Sequence, residues 1–332
     1  MDTKLDFVAI GDITTDAFIR LSLNDAHVVE TNGHQEICMS FGDKIPYEKV
    51  DVVRAVGNSP NAAVSAARLG LTSAVVTTVG DDENGRECLA ALKESGVDPR
   101  FTTIQKNIET NYHYVLCYKA ERTILVKHHA YDYHLGDIGE PTYVYLSSLA
   151  ENSLPYHLEI AAYLNAHPNI KLAFQPGTFQ MKLGYENLKS IYERTELFFC
   201  NKEEAERILN KTNQTIPELL VGIRNLGPKI AIITDGPKGA YTFDGNEIWQ
   251  MPMYPDPAPP QNRTGAGDAF ASTFTSARIL GKSVPEALAW GPINSMSVVQ
   301  YVGAQRGLLA RETLEAFLKS APEEYVAQQI SH

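Results

Sequence analysis

Residues 262–270 read NRTGAGDAF, and beyond them Ala269, Phe270, Phe274 and Ala277 recur at helical spacing. Gly265 and Gly267 leave the backbone without Cβ obstruction and free to take unusual dihedrals. A helix that begins here directs the unpaired N–H groups of its first turn outward, and its dipole adds positive potential at the same place. Together these make a site for an anion such as a phosphoryl group in transfer. Asp268 falls in that first turn, where a carboxylate can take a proton from a substrate hydroxyl. Glycine-rich turns also open helices that bind nothing, and an acidic residue in a first turn is favourable by roughly 0.3–1 kcal/mol on its own. The weight of the stretch therefore depends on the rest of the chain.

The chain has 332 residues, enough for one large domain or two ordinary ones. Its 44% hydrophobic and 21% charged residues are those of a soluble globular protein. A net charge of −11 argues against nucleic-acid and anionic-membrane partners, both of which need a basic face. Local backbone donors can still hold a nucleotide. Cys38, Cys88, Cys117 and Cys200 are scattered and form no CxxC pair, which argues against a zinc site or disulfide framework and fits a reducing cytoplasm. The opening MDTKLDFVAIGD shows no signal-peptide pattern, and no run approaches the roughly 20 apolar residues of a membrane helix.

Taken in order, residues 5–10 (LDFVAI) read as a buried strand, but GDITTD follows where a dinucleotide fold would carry GxGxxG, so a nicotinamide dehydrogenase is not expected. Asp16 opens a second extended run, as a turn residue or as a hydroxyl ligand. Residues 23–56 are irregular, with short β-like pieces and no helical period, which predicts a small flap inserted after the first strand. GNSPN at 57–61 then opens a helix, with Ser59 expected as N-cap and Pro60 at the first helical position. Asn58 and Asn61 exceed what capping needs and can hydrogen-bond a polyol. The acidic turn at 81–83 reads as a helix start, and the strands at 101–104, 112–118 and 122–126 as parts of the flap or its seam. From Pro141 onward strands and helices alternate, which predicts a largely parallel sheet covered on both faces. Ligands bind past the carboxyl ends of such strands, where Gln175, Asn201, Thr234 and the GAGD turn all fall. Asn201 followed by Glu204 also has the spacing of a capping box, and Gly236 and Gly239 the spacing of a plain hairpin turn. Gly281-Lys282-Ser283 is no phosphate loop, because Ser276 stands where its leading glycine belongs. The tail beyond Ala321 is expected to fray.

These landmarks resemble, in order and over nearly the whole chain, the ribokinase (PfkB) family of carbohydrate and nucleoside kinases. VGNSPNAAVSAARLG at 56–70, VGDDENG at 79–85, NKEE at 201–204, TDGPKG at 234–239 and TGAGDAF at 264–270 carry the resemblance, the last being the most specific. It implies one kinase domain over residues 1–332: a three-layer α/β core with a mostly parallel central sheet, and a small β-sheet lid from about 12–56 and 104–130. It implies ATP- and Mg2+-dependent transfer to an alcohol of a sugar or nucleoside, and a lid that in some relatives clasps a second copy. By motif, Asp268 is the base and the N–H groups of Gly265, Ala266 and Gly267 the anion hole. Asp16, Gly57, Asn58 and Asn61 would contact substrate; Asn201, Thr234, Gly236, Gly239 and Asn294 would line the nucleotide site; Glu204 would act on magnesium indirectly. Asn262 stands where the family has an aspartate beside a monovalent cation, so K+ activation is not expected, and Arg263 either meets phosphates or faces solvent. Val56 and Pro60 also depart from the pattern and would reshape the acceptor pocket.

Overall fold

In the computed structural model, which describes residues 4–31, 33–119 and 121–331, short apolar runs of the sequence become strands buried on both faces. The chain begins β1 (Phe7–Ile10), β2 (Thr14–Leu21), β3 (Ala26–Thr31), β4 (His34–Met39), β5 (Tyr47–Val56) and helix α1 (Asn58–Arg68). It continues through β6 (Ser73–Gly80), α2 (Glu83–Glu94), β7 (Thr102–Gln105), β8 (Tyr112–Tyr118), β9 (Glu121–Leu125) and β10 (Tyr143–Leu146). Then come α3 (Leu154–Ala166), β11 (Lys171–Phe174), α4 (Thr178–Arg194), β12 (Thr195–Asn201), α5 (Lys202–Leu209), α6 (Ile216–Asn225) and β13 (Ile230–Thr234). Last are β14 (Ala240–Phe243), β15 (Ile248–Met251), α7 (Ala266–Ile279), α8 (Val284–Val298), α9 (Arg311–Lys319) and β16 (Gln328–Ile330).

One sheet has the order β16-β15-β14-β13-β12-β11-β10-β1-β6-β7. Neighbours from β7 through β13 are parallel, and β14, β15 and β16 extend the edge antiparallel. The period of two along each strand feeds two cores. Phe7, Ala9, Tyr143, Tyr145, Leu197 and Phe199 pack with residues of α1, α7 and α8. Val8, Ile10, Val144, Leu146, Phe198 and Cys200 pack on the other side with residues of α3, α4 and α6. The expected three-layer α/β architecture is the one observed.

A second sheet, β5-β2-β8-β9, stands apart from the first, and β3 and β4 form a two-stranded sheet of their own among the described residues. The chain crosses into this region after β1, returns at α1, crosses again after β7 and returns at β10. β8 lies antiparallel to β9 but parallel to β2. The strand expected at 101–104 is β7, and it belongs to the edge of the large sheet. Two further expectations are corrected. Ser59 is not the N-cap of α1: the helix starts at Asn58 with Gly57 capping, and the Ser59 hydroxyl instead donates to the Ile10 carbonyl at 2.7 Å. The tail does not simply fray, because β16 pairs with β15 and the buried Tyr325 hydroxyl donates to the Ala289 carbonyl at 2.6 Å.

Candidate active site

The N-terminus of α7 opens at the carboxyl ends of the parallel strands. Its N-cap is Gly265, with φ 81° and no side-chain cap, so the N–H groups of the first turn have no partner within the helix. A Cβ on Gly265 would lie 2.3 Å from that of Ala304, so both dihedral and space demand glycine. Gly57 meets a similar demand, with φ 124° and the Asp12 carbonyl 2.5 Å from where its Cβ would stand. This close approach brings the first turn of α1 against the β1–β2 crossing and sets Asn58 and Asn61 opposite α7.

Asp268 is buried at that junction. Asn58 donates to its Oδ1 at 2.7 Å, Asn61 to its Oδ2 at 2.9 Å, and Gln175 to Oδ1 at 3.4 Å. The amides are oriented from behind. Gln305 donates to the Asn61 Oδ1 at 3.0 Å, and the Tyr145 hydroxyl donates to the Gln175 Oε1, so both NH2 groups must face the carboxylate. Burial lifts the Asp268 carboxyl above its ordinary value, and the donors from Asn61, Asn58 and Gln175 oppose that rise without cancelling it.

A cavity of about 350 Å³ lies in front of this group. Asp16, Gly57, Asn58, Asn61, Asn201, Glu204, Thr234, Gly265, Gly267 and Asp268, all singled out in the sequence, line it together. A second cavity of about 240 Å³ shares Thr234, Gly267 and Phe270 with the first and takes in Gly236, Gly239 and Ala266. It is a slot walled by apolar groups, among them Met253, Pro260, Met296 and Val299, with Arg263 and Asp256 on its lining. Glu204 does form the capping box of α5: its Oε2 accepts from the Asn201 N–H and its own N–H donates to the Asn201 Oδ1, both at 2.8 Å. It also faces the cavity, where burial raises its carboxyl above the ordinary range. Among the described residues, no group of three His, Cys, Asp or Glu side chains could hold a metal by itself.

Asn294 is placed elsewhere. It is fully buried, donates to Thr273 Oγ1 at 2.7 Å and accepts from the Leu309 N–H at 2.9 Å, tying α8 to α7 and to the following loop. Its helix neighbours Pro292, Ser295 and Met296 line the slot instead. Asn262 spends its Oδ1 on the Thr264 N–H at 2.7 Å. The acidic turn is structural: Asp82 caps α2 through Gly85 and binds the Thr110 N–H and hydroxyl, and these bonds outweigh its burial and hold its carboxyl below the ordinary range. Sequence reasoning left Tyr145 and Gln305 out of the site, and offered His113 only as one of the lid side chains at 112–134 that either stack on a base or pack the lid. His113 lines the large cavity opposite Asp16.

The comparisons with known proteins agree with this geometry. A family model described as pfkB family carbohydrate kinase matches residues 25–311. An ATP-dependent 6-phosphofructokinase of Thermoanaerobacterium thermosaccharolyticum is 27% identical over 318 residues, covering 91% of this chain and 90% of that protein. The Bacillus subtilis ribokinase is 28% identical over 270 residues, 79% of this chain and 87% of that one. The solved structure of Arabidopsis thaliana ribokinase with ribose and ATP superposes with a TM-score of 0.77 at 19% identity, covering 96% of this chain and 99% of that one, which is a likeness of fold. With a matching family model, the expected three-layer fold and an acid at the mouth of α7, the chain belongs to the pfkB family of carbohydrate kinases and is a phosphotransferase with an alcohol group as acceptor.

Proposed function

We propose that the protein transfers the γ-phosphoryl group of ATP, with magnesium, to a hydroxyl of a small sugar, in the manner of a ribokinase or fructokinase. The observation that carries this reading is the Asp268 carboxylate, held by Asn58 and Asn61 beside the uncapped mouth of α7. The apolar slot fits a nucleotide base, and the mouth of α7, where it joins the larger cavity, fits the phosphates. Bound there, ATP supplies the phosphoryl group and magnesium neutralises its charge. With no protein cage among the described residues, the ion would rest on phosphate oxygens and water, and Glu204 would act on it through that water.

The work of the chain is positioning and charge. Asp268 takes the proton of the attacking hydroxyl, and the main-chain N–H groups of Gly265, Ala266 and Gly267 stabilise charge on the transferring oxygens. Asn201, Thr234, Gly236 and Gly239 line the nucleotide end, while Asp16, Gly57, Asn58 and Asn61 hold the acceptor. The second sheet, with residues about 12–56 and 104–130, serves as the lid that excludes water. A nucleoside acceptor is the runner-up, but among the described residues no tyrosine lines the cavity; Tyr112 meets Tyr114 at 5.2 Å and Tyr133 stacks on Tyr156 at 5.3 Å.

The test is ADP release against a panel of pentoses, hexoses and nucleosides. Asp268→Asn should lose about 10²–10⁴ in turnover with ATP affinity little changed. Near-normal turnover in that variant sinks the base assignment, and a protein that binds ligand but releases no ADP is a sensor instead. We also infer that two copies pair through the outer face of the lid, since an isologous pairing would cover on both subunits the row of Val52, Tyr114 and Leu125 that each leaves exposed.

A further inference from the structure

The register of the lid sheet places Asp16 of β2 directly beside His113 of β8. Paired residues on neighbouring strands share a face, and both side chains line the large cavity, at the end that also holds Asn58, Asn61 and Asp268. His113 Nδ1 lies 3.3 Å from Asp16 Oδ1, and each side chain is only 13% exposed. Asp16 Oδ1 and His113 Nε2 are nevertheless both buried without any hydrogen-bond partner. Those two atoms are closed to solvent, but both side chains line the cavity and keep part of their surface open to it, which presents their remaining polar surface to a ligand. The neighbouring ring, His128, meets His113 edge-on at 5.2 Å and offers it no hydrogen bond.

The charge of the cavity narrows the ligand. Among the described residues its lining holds three carboxylates, Asp16, Glu204 and Asp268, and neither a lysine nor an arginine. A phosphate carried on the acceptor would enter beside Asp16 and Asp268 with no cation to meet it, and like charges in a low-dielectric cleft repel strongly. A hydroxyl group has the opposite fit, since it donates to a carboxylate oxygen and can donate to or accept from an imidazole nitrogen.

We infer that Asp16 and His113 together bind adjacent hydroxyls of an uncharged polyol, and that this pair sets the acceptor specificity against phosphorylated sugars. The inference rests on the kinase reading above and adds the acceptor class and His113 to it. A phosphosugar is a live competitor, because the similar thermoanaerobacterial protein is named as a 6-phosphofructokinase. His113 is a binding residue in this assignment, and the transfer itself remains with Asp268.

The experiment is ADP release by the intact chain with D-ribose, D-fructose and adenosine, each beside D-ribose 5-phosphate and D-fructose 6-phosphate. One unphosphorylated compound should exceed its best phosphorylated counterpart by at least about 100-fold in kcat/KM. Preference for a phosphorylated sugar overturns the inference while leaving the kinase standing. No turnover with any of them sinks the kinase reading, and the inference with it. His113→Phe keeps the ring against His128 but removes both nitrogens. It should raise KM for the best acceptor by about 10- to 100-fold, leave KM for ATP unchanged, and be partly rescued by His113→Gln. An unchanged acceptor KM in a folded His113→Phe protein overturns the role of the pair.

Discussion

At the scale of single residues, a buried carboxyl with a displaced titration lies behind Gly57 of the acceptor site. Asp12 sits where the chain first leaves the large sheet, its Oδ1 accepting from the Tyr133 hydroxyl at 2.7 Å. Its Oδ2 and the Nδ1 of His128 are 3.6 Å apart, both buried and both unpartnered. Burial pushes the Asp12 carboxyl up to about 7 against the Tyr133 bond, and pushes the His128 imidazole down to about 4. Between about pH 4 and pH 7 the two are therefore not an ion pair: a largely protonated Asp12 faces a neutral ring. The folded chain binds this proton more tightly than the unfolded chain, whose carboxyl titrates near 3.8. The stabilisation is complete below that value and is lost as pH climbs through about 7. Asp12→Asn mimics the protonated form at every pH and keeps His128, so the separate loss from that ring below about 6.5 largely cancels in the comparison. From pH 4 to pH 8 the native chain should lose about 4 kcal/mol relative to Asp12→Asn in urea unfolding. Parallel curves for the two proteins would refute the assignment. None of this was legible in the sequence, because Asp12 and Tyr133 meet 121 residues apart along the chain. Asp268 was legible because its helix start is local, and Gln175 was placed at the right strand end; the bond between them across 93 residues, and Gln305 behind Asn61, were not.

At the scale of elements, α5 separates two explanations of one side chain. Glu204 closes a capping box with Asn201 and faces the cavity as well. A glutamine at the same place can accept the Asn201 N–H bond but carries no charge. Glu204→Gln should therefore unfold at the native temperature while the magnesium needed for half-maximal turnover rises about 10-fold. Glu204→Ala should show the same shift and lose about 1 kcal/mol of stability besides. An unaltered magnesium requirement in Glu204→Gln would leave the cap as the only role. The mouth of α7 makes a sharper demand: Gly265→Ala adds a Cβ 2.3 Å from that of Ala304 at φ 81°. It should cost about 2–4 kcal/mol by thermal or urea unfolding. Elements with strong local signals were legible, as in the β-branched run that became β6. β15, β16 and α6 were not assigned in the sequence; β16 (QQI) has no apolar pattern and is a strand because β15 offers it an edge.

At the scale of the molecule, the second sheet presents two faces of opposite character. One carries Asp16 and His113 to the cavity. On the other, the register aligns Val52, Ala17, Tyr114 and Leu125 in one row across all four strands. Val52 is 41% exposed, Tyr114 49% and Leu125 51%. The sequence betrayed the alternation of β8 but not this row, since the parallel pairing of β8 with β2 joins segments nearly 100 residues apart. Water against such a row is costly at about 25 cal/mol per Å² of apolar surface, and copies of a chain with net charge −11 meet little charge repulsion across a row of uncharged side chains. A sheet face that is self-complementary about a twofold axis covers itself on both subunits at once. The chain should therefore sediment as a dimer at micromolar concentration. Val52→Lys places a like charge near the centre of the pairing and should weaken it by about 100-fold, with little change in the unfolding temperature of the monomer because the side chain stays exposed. A native chain that sediments as a monomer at tens of micromolar, or a Val52→Lys protein that dimerises as well as the native one, would show that this row is covered by something other than a second copy.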